Sequence, residues 1–198
     1  MMHPIRFLPL VLAFAAGAAA AASSTVAPDF ALTDATGKTV KLSDYRGKYV
    51  VLEWTNPECP FVRKHYDSGN MQGLQKEWGA RDVVWLAVNS TNQSSYEYKS
   101  PQQMGEWMRA KDAAPKAALI DGTSATGRAY GAKTTPHMFV VNPDGDVIYR
   151  GAIDDRRSTN PADAKLANNY VRAALSEALA GKPVTVASTA PYGCSVKY

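Results

Sequence analysis

The chain has 198 residues, with 22 Lys and Arg against 18 Asp and Glu for a formal net charge of +4. This small excess is scattered, without a basic block or an aromatic-basic stripe, which argues against a nucleic-acid partner. A hydrophobic content of 45% and a length suited to one domain allow a core of useful size.

Residues 1–22 read as a secretory signal. Arg6 supplies the positive charge, Phe7 to Ala16 an apolar run broken by Pro9, and Gly17 to Ser24 the small residues around a cleavage point at Ala20 or Ala22. The run is too short for a membrane span, which needs about 20 residues, and no later stretch approaches that length. A soluble periplasmic or secreted protein without stable membrane association is expected. Residues 23–182 then form the domain, and 183–198 a C-terminal tail.

Val26 to Asp44 reads as a strand pair: Phe30 and Leu32 alternate with polar neighbours, Asp34-Ala35-Thr36-Gly37 turns the chain, and Val40 and Leu42 resume the alternation. Tyr49 to Trp54 is mostly apolar and β-branched, as a central strand buried on both faces requires. It ends at Thr55-Asn56-Pro57-Glu58-Cys59, and Pro60 stands where a helix has its first residue. Phe61 to Asp67 is expected to be helical, Ser68-Gly69-Asn70 to break that helix, and Met71 to Trp78 to resume it. Asp82 to Asn89 is a second buried strand. Ser100-Pro101 caps a helix carrying Met104, Trp107 and Met108 on one face. Ala117 to Ile120 is a short strand, and Ser124 to Tyr130 a short helix ending at Gly131.

Met138 to Val141 and Val147 to Tyr149 flank Asn142-Pro143-Asp144-Gly145 as a hairpin. Asp154-Asp155-Arg156-Arg157 reads as a solvated charged turn. Pro161 to Ala180 is expected to be one long amphipathic helix with Leu166, Tyr170, Val171, Ala174, Leu175 and Ala178 facing inward. After Pro183 the helical period is lost. Strands separated by helices and followed by a hairpin and a last helix make an α/β chain with a mixed sheet.

Cys59 and Cys194 are the two cysteines, and an oxidising compartment tends to pair them, either as a structural staple or as a redox couple. Cys59 follows a buried strand and opens a helix. A thiolate there faces free backbone N–H groups and the positive end of the helix dipole, which favours a nucleophile. Arg63 and His65, in the next two turns, are candidates for adding positive potential, against Glu58. Thr134-Thr135-Pro136-His137 precedes a strand, where a proline marks an edge, a bulge or a cis bond. Tyr96 and Tyr98 sit in a polar loop, where aromatics are commonly half-packed.

Four blocks together carry a resemblance: Ala27-Pro28-Asp29-Phe30 with Leu32-Thr33-Asp34; Asn56-Pro57-Glu58-Cys59-Pro60-Phe61-Val62 with Lys64-His65-Tyr66; Tyr130-Gly131 to Thr135-Pro136; and Pro191 to Tyr198. In these the chain resembles the thioredoxin-like superfamily, and within it the peroxiredoxin-like or redoxin proteins of the alkyl hydroperoxide reductase and thiol-specific antioxidant type. The resemblance implies a thioredoxin-like fold: a central mixed sheet flanked by helices, with an N-terminal β-hairpin and a C-terminal tail.

It also implies a thiol-disulfide oxidoreductase acting on protein thiols or disulfides, with Cys59 and Cys194 catalytic, Thr135 and Pro136 holding a partner strand, Pro60, Arg63 and His65 in support, and no cofactor. The strand starting at His137 should lie beside the one ending at Trp54, with Thr135-Pro136 as a cis peptide against the Cys59 loop. Cys59-Pro60-Phe61-Val62 resembles Cys-x-x-Cys with Val62 in the second cysteine's place, so the resolving thiol falls to Cys194 on the tail. A peroxiredoxin site has Pro-x-x-x-Thr-x-x-Cys, whereas here Asn56 stands three residues before Cys59 and Thr55 four before. A thiol peroxidase using peroxide is the alternative enzyme. A non-catalytic or copper-binding protein of the same fold is the alternative of another class, since thiolates with His65 and His137 suit soft metals. The copper chaperones of this fold resemble Cys-x-x-x-Cys, and Arg63 occupies that position, so no metal is expected.

Overall fold

The computed structural model describes residues 25–198, and the signal-peptide expectation falls outside them. The chain opens with β1 (Thr25–Val26), β2 (Ala31–Asp34) and β3 (Thr39–Lys41), then β4 (Val50–Trp54), α1 (Pro60–Asp67), α2 (Asn70–Gly79) and β5 (Val84–Asn89). It continues with α3 (Pro101–Ala110), β6 (Ala117–Ile120), α4 (Ala125–Tyr130), β7 (Thr134–Thr135), β8 (His137–Val141) and β9 (Asp146–Gly151), and ends with α5 (Tyr170–Leu179) and β10 (Cys194–Ser195).

Eight strands form one sheet in the order β1-β9-β8-β4-β5-β6-β2-β3, and β10 pairs with β7 in a separate ribbon. The β4–β5 and β5–β6 pairs are parallel, while β8 runs antiparallel to β4. This is the mixed sheet flanked by helices that the resemblance implies.

Alternation along β4 explains why its run is apolar on both faces apart from Glu53. Val50, Leu52 and Trp54 enter a core shared with Phe30, Leu86, Val88, Tyr130 and Phe139. Val51 enters the other, shared with Cys59, Val62, Tyr66, Leu74, Trp78, Met104 and Leu175. A strand covered on both faces has no polar side to give away. Gly69, at φ 75°, lets the chain turn between α1 and α2. Ser100 caps α3 by accepting from the Gln103 N–H, and Gln103 returns a bond to the Ser100 N–H. Among the described residues no helix is long and apolar enough to cross a membrane.

Two expectations are corrected. The single helix over Pro161 to Ala180 is instead a 3-10 turn at Pro161–Lys165 followed by α5 at Tyr170–Leu179. Asn169 interrupts it by accepting from the Arg172 N–H as a cap, and Asn168 is drawn aside to Asp155. Leu166, expected inside, is 71% exposed. Asp154 is likewise buried, not solvated, because Lys64 of α1 and Tyr192 of the tail converge on it.

Candidate functional site around Cys59

Cys59 is the residue immediately before α1, in extended conformation, with Pro60 as the first helical residue. The loop leading to it is organised by Asn56. Its side-chain oxygen accepts from the Glu58 N–H at 2.9 Å, its amide donates to Glu97 at 2.7 Å, and its carbonyl accepts from the Cys59 N–H at 3.1 Å. The Cys59 carbonyl in turn accepts from the Val62 and Arg63 N–H groups, both at 3.0 Å.

His137 stands opposite Trp54 in the β4–β8 register, as the reading of the two strands anticipates, so the segment preceding β8 arrives beside Cys59. The Thr135-Pro136 peptide is cis, and the Cys59 thiol donates to the Thr135 carbonyl at 3.0 Å. Cys194 comes from the other end of the chain. Its sulfur is 2.6 Å from that of Cys59, close to the S–S bond length of about 2.05 Å. Cys59 is buried and Cys194 half-buried. Burial, together with the neighbouring Cys59 sulfur, pushes the Cys194 thiol up to about 12.

The tail reaches this point as a strand. Cys194 pairs with Thr135 and Ser195 with Thr134, antiparallel. The Val196 N–H continues the row to the Lys133 carbonyl at 3.2 Å, and the Lys197 carbonyl accepts from the Asn92 N–H at 2.7 Å. Tyr198 lies under the Arg128 guanidinium, and its hydroxyl donates to the Ala132 carbonyl at 2.5 Å. Thr135, expected to offer its backbone to a partner segment, has that backbone engaged by the chain's own tail. The signal for this was present: Tyr192, Cys194, Val196 and Tyr198 recur at the two-residue period of a strand.

The expected supporting residues divide. Pro60 opens the helix. Arg63 donates to the Pro57 carbonyl at 2.8 Å and to Glu58 at 2.7 Å, and Lys99 also pairs with Glu58 at 2.7 Å. Lys99, ahead of Arg63, holds the Glu58 carboxyl below its usual range. His65 takes its hydrogen bonds elsewhere. Its Nδ1 is 2.9 Å from the Asn70 amide and its Nε2 3.4 Å from the Tyr192 hydroxyl. Burial, and then the adjacent Lys64 charge, depress it to about 3. It is therefore neutral at working pH and adds no positive potential to the thiol. The Nδ1 of His137 accepts from the Lys133 N–H at 3.2 Å. Among the described residues no three His, Cys, Asp or Glu side chains converge as a metal site. Tyr96 is 92% exposed, and Tyr98 is half-buried.

Beside α1 lies a buried polar cluster that the sequence reading did not identify. The Lys64 ammonium donates to the Arg156 carbonyl at 2.5 Å and stands 3.6 Å from Asp154. The Tyr192 hydroxyl donates to the other Asp154 oxygen.

Glu53 was also missed, although a lone charge in the apolar run of β4 marks it. Its carboxylate accepts from Tyr66 and Trp85, both at 2.9 Å, and from Gln75 at 3.3 Å. Burial outweighs these bonds and raises Glu53 to about 7 from 4.5. Its favourable contribution is thus complete below pH 4.5 and is lost as pH rises through 7, by about 3 kcal/mol for so large a shift. His65 and His137, depressed to about 3 and about 4, act oppositely, contributing fully above 6.5 and losing stability as pH falls. The difference in urea stability between the wild type and Glu53→Gln should isolate the Glu53 contribution, shifting by about 3 kcal/mol against the wild type between pH 4.5 and 8.

The AhpC/TSA family model matches residues 24–150, a span that contains Cys59, Thr135 and Pro136 and ends before Cys194. The thiol-disulfide oxidoreductase ResA of Geobacillus kaustophilus (strain HTA426) is 30% identical over 135 residues, covering 65% of this chain and 68% of that protein. An uncharacterized conserved protein from Geobacillus kaustophilus has a crystal structure that superposes with a TM-score of 0.78 at 30% identity, over 88% of this chain and 91% of that one. The thioredoxin domain of a thiol-disulfide oxidoreductase from Bacteroides vulgatus superposes with a TM-score of 0.53 at 19% identity, over 75% of this chain and 100% of that one, a likeness of fold.

Proposed function

The chain belongs to the AhpC/TSA family, and on that premise we propose that it is a thiol-disulfide oxidoreductase in which Cys59 attacks and Cys194 resolves. The observation that carries this reading is the meeting of the two cysteine sulfurs, 2.6 Å apart, at the N-terminus of α1. Cys194, pushed up to about 12, keeps its proton near neutrality. Cys59, at the positive end of the α1 dipole, is the sulfur suited to attack. The similarity to proteins described as thiol-disulfide oxidoreductases supports protein thiols and disulfides as substrates. The signal-like segment at residues 1–22 supports a periplasmic or secreted location, where such substrates occur.

In the reducing direction, Cys59 displaces one sulfur of a partner disulfide and is left in a mixed disulfide. Cys194 then attacks the Cys59 sulfur, closing Cys59–Cys194 and expelling the partner's second thiol. The reverse sequence oxidises a partner dithiol.

The family also supports a second reading, thiol peroxidase, in which Cys59 becomes a sulfenic acid and condenses with Cys194. Against it stands the position three residues before Cys59. Asn56 occupies it, and its amide is committed to Glu97 at 2.7 Å.

The two readings separate when reduced protein is offered a peptide disulfide and hydrogen peroxide in parallel. Exchange should outrun peroxide consumption, and a non-reduced digest should then contain the Cys59–Cys194 peptide. Rapid peroxide turnover without disulfide exchange would reverse the assignment.

A further inference from the structure

The tail strand raises a question that thiol exchange alone does not answer. It occupies the backbone row at Thr134 and Thr135, the row that an extended partner segment would use to dock beside Cys59. It also covers Cys59, which is only 1% exposed.

Two features just before Cys194 hold the tail there. Two residues before it, the Tyr192 hydroxyl enters the buried cluster, donating to Asp154 and lying 3.4 Å from both the Lys64 ammonium and His65 Nε2, while its ring meets Phe61 edge-on at 5.8 Å. Between them, Gly193 lies so close to β7 that a Cβ there would come within 2.0 Å of the Thr135 carbonyl oxygen, at a φ of +141° that side chains rarely adopt. A hydroxyl bonded to a buried carboxylate is a strong, directional anchor, and nothing in the exchange chemistry itself requires it.

We propose that Tyr192 is a positioning residue for this exchange: anchored on Asp154, it holds the tail strand on Thr134–Thr135, so that Cys194 is presented to Cys59 and an extended cysteine-containing partner segment must displace the tail to dock. The proposal rests on the oxidoreductase reading above. The partner arrives with its disulfide as the tail lifts. The Cys59 thiolate forms an S–S bond to one partner sulfur, and the partner's internal S–S bond breaks, releasing one thiolate. The tail then redocks. Cys194 gives its proton to water and bonds to the Cys59 sulfur, the mixed disulfide breaks, and the second partner thiolate leaves. The partner has gained two electrons and the cysteine pair has lost two. Because redocking refills the partner's hydrogen-bonding row, resolution and release are one event.

The test compares wild type, Tyr192→Phe and Gly193→Ala. The first removes the hydroxyl and keeps the ring; the second crowds the strand contact without touching the polar cluster. Three quantities are read: the glutathione equilibrium constant for Cys59–Cys194 closure, amide hydrogen exchange at Val196 against Leu52 and Val88 in the reduced protein, and the rate of first attack on an extended peptide disulfide. Both variants should lower the closure constant about 10-fold, the scale of losing one hydrogen bond to a charged group. Both should speed Val196 exchange by a similar factor and leave Leu52 and Val88 unchanged. First attack on the peptide should be faster than in wild type. A closure constant and Val196 protection within twofold of wild type in both variants would overturn the proposal. Equal loss of protection at Leu52, Val88 and Val196 would also overturn it, by showing that Tyr192 only supports the fold. A wild type that exchanges with no disulfide would instead refute the oxidoreductase reading, while Val196 protection would still report tail docking.

Discussion

Cys59→Ser should abolish exchange with peptide and small disulfides alike, by at least about 10³-fold, or about 4 kcal/mol of transition-state stabilisation, whereas Cys194→Ser should spare the first attack and stop the second. The asymmetry follows from position. Cys59 is the sulfur at the N-terminus of α1, and a serine hydroxyl there stays protonated. Cys194 lies on a two-residue strand of the tail, and in the proposed reaction it displaces what Cys59 has captured. With a peptide disulfide as substrate, Cys194→Ser should therefore accumulate a stable mixed disulfide at Cys59, visible by mass spectrometry as the intact protein plus one peptide. Full turnover in Cys194→Ser would assign resolution to an external thiol. Mixed-disulfide formation at Cys194 in Cys59→Ser would exchange the two roles.

The second large effect is on stability. Lys64→Met should destabilise the protein by about 3–5 kcal/mol, the cost of removing one member of a fully buried ion pair. The Lys64 and Asp154 side chains are 0% and 1% exposed. Methionine fills the volume, yet it leaves Asp154 charged in the core with the Tyr192 hydroxyl and the Arg156 N–H for compensation. For a chain of this size the melting temperature should fall by about 10 °C. Pairing the change with Asp154→Asn, which removes the stranded charge and keeps an acceptor for Tyr192, should restore a large part of the loss. If Lys64→Met alone melts like wild type, the pair is energetically idle and the anchor for Tyr192 lies elsewhere.

What could be read from the sequence was local. The alternation of β2 and β3, the two-sided apolar runs of β4 and β5, the capped start of α3 and the hairpin turn at Asn142–Gly145 follow from periods and turn chemistry that act within a few residues. The placement of Cys59 before Pro60 has the same origin, and the resemblance supplied the tail cysteine. What escaped depends on groups far apart in the chain. Asp154 sits in a run of four charges and reads as solvated. Only Lys64 from α1 and Tyr192 from the tail make its burial tolerable. The helical period from Pro161 to Ala180 continues unbroken on paper, but Asn168 and Asn169 divert their side chains to Asp155 and to the start of α5. Thr135 is read as the place where a partner strand docks. That the tail itself fills it is a tertiary fact, since the two strands are separated by nearly 60 residues of intervening chain.

The sheet's outer strands bear on how copies of this chain meet one another. β3, at one margin, is three residues long and ends in Lys41, with Lys38 just before it, leaving little unpaired backbone for a second molecule. At the other margin, β9 is bordered first by β1 and then by the tail at Ala187 to Thr189. The tail goes on to cover β7, so one segment shields two rows of hydrogen-bonding groups. An uncovered backbone row pairs with an extended strand of any neighbour as readily as with a substrate. In the proposed exchange each opening of the tail thus exposes a surface prone to self-association, which ties the solubility of concentrated protein to how briefly that opening lasts.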